Sequence, residues 1–153
     1  MNRSRYLNRH IDQIDRSIIA ALTEEGRMTT KAVAEKIRMS SPSVTARVNK
    51  MKDAGAITGF AVVIDPKAFG LNVEAHVRIH ALPGEGSRVA QMLRDTPEVV
   101  VADQITGKDC FQVKVVVSDA QELHAVVARF EPYASAETAI ILSNSVVKRL
   151  PKL

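Results

Sequence analysis

The sequence predicts an α+β protein in which an N-terminal winged helix-turn-helix is joined by a hinge strand to a C-terminal ferredoxin-like βαββαβ domain. Apolar residues recur at helical spacing through Ala54, whereas from Leu71 they alternate with polar residues as in half-exposed strands. Residues 1–60 hold 11 Lys and Arg against 6 Asp and Glu, and residues 61–153 hold 10 against 11. A basic part followed by a neutral part predicts a nucleic-acid module joined to a second domain, with a merely solvated basic surface as the alternative. The predicted boundaries are 1–60 for the helix-turn-helix domain, 61–70 for the hinge strand and linker, and 71–153 for the second domain.

The segment Thr29–Ala54 predicts two short helices separated by a tight turn. The first runs over about Thr30–Ile37. The second opens at Ser41 and Pro42, because a serine hydroxyl can cap free helical amides and proline needs no donor in the first turn. The inward side chains of the second helix, spaced i, i+4 and i+7, are Val44, Val48 and Met51.

The outward face of this second helix carries small, hydrogen-bonding or cationic side chains and no carboxylate. Such a face is slim enough for the DNA major groove and attractive to phosphate. Arg47 is the strongest single candidate for a DNA contact, although it could instead pair with a carboxylate of the first helix. Asn49 and Lys50 are expected to contact phosphate, and Arg38 either binds phosphate or is solvated. The candidate DNA-binding residues are Arg38, Ser41, Ser43, Thr45, Ala46, Arg47, Asn49 and Lys50.

The rest of the first domain is predicted to complete a three-helix core. Residues 1–10 predict a flexible basic arm, and a helix follows from Ile11 and ends at Gly26. Gly55 is the expected C-terminal cap of the third helix, and Ile57–Ile64 predicts a strand that acts as a wing or hinge. The apolar stripe predicted for the first helix is Ile11, Ile14, Ile18 and Leu22, with Asp12 near its N-terminus.

The second domain predicts the order strand, helix, strand, strand, helix, strand, which is the ferredoxin-like pattern with both helices on one face of an antiparallel sheet. Thr138 to about Val146 is the expected last strand. The opposite face of the sheet is expected to be apolar, which predicts burial against a second copy and suits a two-fold DNA site. The residues predicted on that face are Val100, Ala102, Val116, Ala139 and Ile141.

Several classes of protein are disfavoured by composition. No apolar run approaches a membrane span of about 18 residues, and the basic N-terminus lacks the apolar core of a signal peptide. The single cysteine fits a reducing cytoplasm, and neither a cofactor nor a metal is expected. An enzyme that uses Cys110 with His124 is a rival reading, although no orienting group or oxyanion donor is evident. A second rival is an architectural protein that wraps DNA without a ligand.

The chain resembles the Lrp/AsnC (leucine-responsive/asparagine-regulator) family of transcriptional regulators over nearly its whole length. The resemblance rests on I-D-x-x-D-R-x-I-I-x-x-L from Ile11 and S-S-P-S-V-T-A-R-V-N-K-M from Ser40. It continues through G-A-I-T-G-F-A-V-V-I-D-P from Gly55, then F-G-L, P-E-V and I-T-G.

The resemblance implies a DNA-binding regulator that forms homodimers and then tetramers or octamers, with double-stranded DNA and a small amino-acid-like effector as partners. It places the effector between dimers, near the loop after the second strand of the C-terminal domain. One departure stands out, because the family's effector-site aspartate falls on Cys110 and the carboxylate comes one residue earlier. Either Asp109 takes that role from a shifted position or the ligand differs. The effector candidates implied are Thr106, Gly107, Lys108, Asp109 and Thr138.

Overall fold

The computed structural model describes residues 11–107 and 110–146. The chain divides into two compact units between Val63 and Ile64. The first unit contains α1 (Gln13–Glu24), α2 (Thr30–Ile37) and α3 (Ser41–Asp53). The second contains a short 3-10 turn (Pro66–Phe69), β1 (Val73–Ala81), α4 (Gly86–Arg94), β2 (Val99–Ile105), β3 (Cys110–Val117), α5 (Ala120–Ala128) and β4 (Ala134–Ile140). The predicted helix-turn-helix and the predicted ferredoxin-like order are both confirmed. The predicted basic arm, Lys108 and Asp109 lie outside the described residues.

Helix α1 begins at Gln13, two residues later than predicted, because Asp12 caps it. The Asp15 amide donates to the Asp12 carboxylate at 2.8 Å, and the Asp12 amide donates to the Asp15 carboxylate at 3.2 Å, which forms a capping box. The inward stripe also differs from the prediction, since Ile14 is 39% exposed while Asp15 is 1% exposed. The Asp15 carboxylate can be buried because it is hydrogen-bonded there, for example to the Asp12 amide.

Helices α2 and α3 are capped by residue types that favour those positions. The structure confirms the bounds predicted for α2, and Thr29 caps its start. The cap of α3 is Ser40 rather than Ser41, and its hydroxyl accepts from the amide of Ser43. Gly55 follows α3 at a φ of 71°. The Gly55 amide donates to the Lys52 carbonyl and the Ala56 amide donates to the Met51 carbonyl, which is the Schellman motif. Three helices thereby enclose a core of Ile18, Ala21, Val33, Ala34, Val44 and Met51.

The strand predicted over Ile57–Ile64 does not form within the chain. Among the described residues this segment belongs to no sheet ladder; Ile57 is half-buried against the three-helix core, but residues 60–64 are exposed. Phe60 is 60%, Val62 88% and Val63 92% exposed. β-forming residues supply propensity but not a hydrogen-bonding partner, and a strand requires both.

The second unit is one antiparallel sheet in the order β2-β3-β1-β4, packed against α4 and α5. Strand β1 pairs with β3 from Val73 opposite Val117 to His80 opposite Cys110, and with β4 from Ala75 opposite Ile140 to Ala81 opposite Ala134. The predicted inward alternation of β1 is confirmed, since Ala75, Val77 and Ile79 are buried. The helices contribute Val89, Leu93, Leu123, Val126 and Phe130 to the same core.

The open face of the sheet carries Val116 and Ala139, as predicted, but not Ala102, and its middle is polar rather than apolar. A bulge between Val99 and Val101 shifts the register of β2. Val101 then lies opposite Lys114 on the open face, while Ala102 lies opposite Val113 on the helix side. The middle of the face carries ion pairs, Lys114–Glu74 at 2.5 Å and Arg78–Glu137 at 3.7 Å. Apolar side chains are confined mainly to its two edge strands.

Strand β4 begins at Ala134 and ends at Ile140, earlier than the predicted Thr138 to Val146. The amide of Leu82, just after β1, donates to the carbonyl of Tyr133. This hydrogen bond fixes Tyr133, the residue before β4, beside the end of β1. The start of β4 is therefore set by pairing with β1.

Candidate nucleic-acid interface and effector loop

The outward face of α3 is available to a partner. Val44 and Met51 are each 1% exposed and fix the inward side of the helix. Ala46 and Asn49 lie on the opposite side, since they follow Val44 by two and five residues at 3.6 residues per turn. The predicted DNA-binding residues that are exposed on α3 are Ser43, Thr45, Ala46, Asn49 and Lys50, while Ser41 is half-buried.

Arg47, the strongest candidate for a DNA contact, is paired within the chain and is not presented as a free cation. Its Nη1 donates to Asp12 at 2.7 Å and to Asp15 at 2.8 Å, and its side chain is 26% exposed. This is the pairing with the first helix that the sequence left open as an alternative. The sequence analysis did not identify Asp12 and Asp15 as the pair of partners of Arg47, although their i, i+3 spacing at the start of α1 is a usable signal.

The pKa values in this cluster follow from its hydrogen bonds. The amide of Asp15 and then the guanidinium of Arg47 lower the pKa of Asp12 below its ordinary value. The carboxylates of Asp15 and then Asp12 raise the pKa of Arg47. Both directions favour the charged forms, so the ion pairs that join α1 to α3 persist through neutral pH.

The turn between α2 and α3 places Arg38 in a conformation that L-residues rarely adopt. Its φ is 58° and its ψ is 49°, and the following amide, that of Met39, donates to the carbonyl of Ala34. The Arg38 side chain is exposed. It is therefore positioned beside α3 as a cation open to solvent.

The hydroxyls at the start of α3 are already engaged within the helix. Those of Ser40 and Ser43 are 2.8 Å apart, and the hydroxyl of Thr45 donates to the carbonyl of Ser41 at 3.0 Å. Each oxygen can still accept a further hydrogen bond. The face thus offers acceptors, methyl groups and one amide side chain.

The β2–β3 hairpin holds the described part of the predicted effector loop. Thr106 and Gly107 are exposed in its turn, and Gly107 has a φ of 127°. Thr138 lies on β4 and pairs with Val77 of β1. Strand β4 forms the edge of the sheet opposite to β2. The structure therefore does not bring Thr138 to the hairpin within one chain. In the part of the chain that is described, no group of three His, Cys, Asp or Glu side chains could hold a metal ion.

Comparison with known families assigns both units. A winged helix-turn-helix DNA-binding model matches residues 11–58. The Lrp/AsnC ligand-binding domain matches residues 74–151, which is more than half of the chain. The chain belongs to the Lrp/AsnC family. It is accordingly a DNA-binding transcriptional regulator.

Individual Lrp/AsnC proteins match the chain along most of its length. The transcriptional regulator Rv2324 of Mycobacterium tuberculosis is 34% identical over 148 residues, which is 92% of this chain and 97% of the relative. The structure of Bacillus subtilis LrpC has a TM-score of 0.86 at 27% identity and covers 92% of this chain and 100% of its own. The feast or famine regulatory protein Rv3291c of M. tuberculosis, complexed with L-methionine, has a TM-score of 0.85 at 26% identity and covers 93% and 99%. Rv2324 and LrpC are named transcriptional regulators, and Rv3291c is named a regulatory protein. None of the helices in the described residues is long and apolar enough to cross a membrane.

Proposed function

We propose that this Lrp/AsnC regulator binds specific DNA sites as a homodimer or higher assembly and that a small amino-acid-like effector controls its DNA affinity or assembly. The observation that carries the DNA contact is α3, whose outward face holds five exposed polar or small candidates and no carboxylate before Asp53. Phosphate contacts from Arg38 and Lys50 would supply much of the affinity. Because such a regulator acts on chromosomal DNA, we place it in the cytoplasm.

Dimerisation is supported by the unpaired segment Ile57–Ile64. Its residues 60–64 are exposed and belong to no sheet ladder, and an exposed run of β-forming residues is a template for a second strand. A groove of about 500 Å³, lined in part by Ile19, Leu22 and Phe60, runs beside it. Pairing with the same segment of a second copy would cover both the segment and the groove. It would also give the dimer the two-fold symmetry of a palindromic site.

The dimer can be tested by sedimentation of matched variants. Val62→Lys places a charge on the exposed strand and should shift the protein toward monomer. Gln121→Lys adds the same charge at an exposed position of α5, outside this segment, and should leave the assembly unchanged. Equal sedimentation of Val62→Lys and the unmodified protein would contradict an interface at this segment.

Effector control is supported by the relative Rv3291c, whose structure holds L-methionine. The effector loop proposed for this chain is that of Thr106, Gly107, Lys108 and Asp109. A carboxylate there suits the ammonium group of an amino acid. Thr138 lies at the other sheet edge, so it would join this loop only from a different subunit.

A thermal-shift screen against the twenty amino acids tests the effector. A ligand that binds only the folded protein raises the melting temperature by mass action. Asp109→Ala should abolish the shift and the ligand response of operator affinity while it spares DNA binding without ligand. Glu131→Ala, which removes an exposed carboxylate elsewhere, should retain both. If no amino acid changes either quantity, the ligand-independent architectural function is the better account.

A further inference from the structure

We propose that Arg47 is a positioning residue and that Ala46, Asn49 and Thr45 read the bases, so that each α3 selects A·T pairs at the centre of its half-site. This deepens the proposed function and rests on it, because it names the DNA sequence class that α3 reads. The proposal depends on which side chains of α3 are free and which are already bound.

The ion pairs of Arg47 remove the residue best suited to read guanine. Arginine is the commonest partner of guanine in the major groove because its guanidinium bonds O6 and N7 together. Here both carboxylates of the α1 capping box hold Nη1, at 2.7 and 2.8 Å. The cluster of Asp12, Asp15 and Arg47 carries a formal charge of −1 at neutral pH, so it does not attract phosphate.

Arg47 has a strong reason to remain paired when DNA arrives. The side chain of Asp15 is only 2% exposed, so water cannot replace the guanidinium if it leaves. The released carboxylates would then face the phosphate backbone. The pairing instead fixes α3 against the N-terminus of α1, because Asp12 and Asp15 are themselves held by each other's amides.

The centre of the outward face is left with a particular chemistry. Asn49 is exposed there, and an asparagine amide can bond adenine N6 and N7 together. Ala46 lies one helical turn before it and presents a methyl group, which suits the methyl group of thymine. The Thr45 hydroxyl already donates to the Ser41 carbonyl, so this side chain offers a second methyl group and an acceptor. These groups favour A·T pairs.

Lys50 and Arg38 take the remaining electrostatic role. Both side chains are exposed, and no carboxylate bridge to either is formed among the described residues. Lysine acts on phosphate as a point charge, whereas Asn49 can distinguish bases. Base selection and affinity are thereby assigned to different side chains of α3.

Selection from a random double-stranded pool by the full-length protein tests base reading. The unmodified protein should enrich A·T pairs at the centre of each half-site. Asn49→Ala should remove a discrimination of roughly 5- to 150-fold at one A·T pair of each half-site. Asn49→Gln should retain a preference for adenine, since glutamine offers the same pair of bonds. Enrichment of G·C at these positions would overturn the proposal.

The salt dependence of binding separates positioning from direct binding to DNA. Arg47→Met should weaken binding to all sequences alike, with unchanged base preference and an unchanged slope of log affinity against log salt, under conditions where circular dichroism shows the helices intact. Arg47→Lys should restore part of the affinity through the same carboxylates. Lys50→Ala, the matched control, should lower the slope by about 0.9 for each phosphate that the variant no longer neutralises.

The outcomes that reject this proposal differ from those that reject DNA binding itself. If Arg47→Met lowers the salt slope as Lys50→Ala does, Arg47 contacts phosphate. If Arg47→Met removes a preference for guanine, Arg47 reads bases. If the unmodified protein binds no double-stranded sequence with a salt-dependent affinity, it is the proposed function that fails.

Discussion

Replacing Asp15 should weaken the link between α1 and α3 at a cost in stability that the structure allows to be estimated. The carboxylate accepts a charge-assisted hydrogen bond from Arg47 at 2.8 Å and a backbone hydrogen bond from Asp12 at 3.2 Å. A hydrogen bond to a charged group contributes about 1.5–3 kcal/mol and a neutral one about 0.5–1.5 kcal/mol. Because the Asp15 side chain is 2% exposed, solvent screens these terms little. Asp15→Ala should therefore destabilise the first unit by about 2–4 kcal/mol.

The two units can be followed separately in one urea titration. Most helical residues lie in α1–α3, so far-ultraviolet circular dichroism reports mainly on the first unit. The chain contains no tryptophan and two tyrosines, so in a Tyr6→Phe background the fluorescence of Tyr133 reports on the second unit. Asp15→Ala should lower the dichroism midpoint and leave the fluorescence midpoint in place, at fixed protein concentration.

Two further variants make this prediction specific. Asp15→Asn keeps the shape of the side chain and an oxygen for the Asp12 amide but loses the charge. Its dichroism midpoint should therefore fall between those of Asp15→Ala and the unmodified protein. Asp103→Ala removes an exposed aspartate of β2 and should leave the dichroism midpoint unchanged. If Asp15→Ala melts like Asp103→Ala, the ion pair does not hold α1 and α3 together, and the positioning role of Arg47 loses its basis.

Three other predictions concern the turn, the acid response and the core. Arg38→Gly should stabilise the first unit by about 1 kcal/mol in urea melts, because the αL position is strained for arginine, but it should weaken DNA binding. Arg38→Ala should weaken DNA binding without the gain in stability. Hydrogen bonds, above all from the amide of Glu122, hold the pKa of Asp119 below its ordinary value of 3.8. Its stabilisation is therefore complete above that pH and lost as the pH falls through the lower folded pKa, so the urea midpoint of the unmodified protein should approach that of Asp119→Asn in acid. Phe130 is 2% exposed, and Phe130→Ala should cost about 3–5 kcal/mol in thermal melts, whereas Phe69→Ala, at an exposed site, should cost little.

The kinds of elements and their order were readable from the sequence because local chemistry specifies them. Thr29 begins α2 and Asp119 begins α5 because their side chains satisfy free amides within a few residues. The alternation along β1 and the helical spacing in α3 likewise depend on neighbours in the chain. These local rules were sufficient for the helix-turn-helix and for the βαββαβ order.

The features that only the tertiary structure decided depend on partners that are distant in sequence. Arg47 lies 32 residues from Asp15, so its pairing depends on how α1 crosses α3. Which residues of β2 reach the open face depends on one bulge near Val100, because a single extra residue reverses the facing of that strand. The segment Ile57–Ile64 has the composition of a strand, but a strand forms only where a second backbone offers its hydrogen bonds. Sequence periodicity determined which way most side chains face, and tertiary packing determined which of the outward ones remain free to bind.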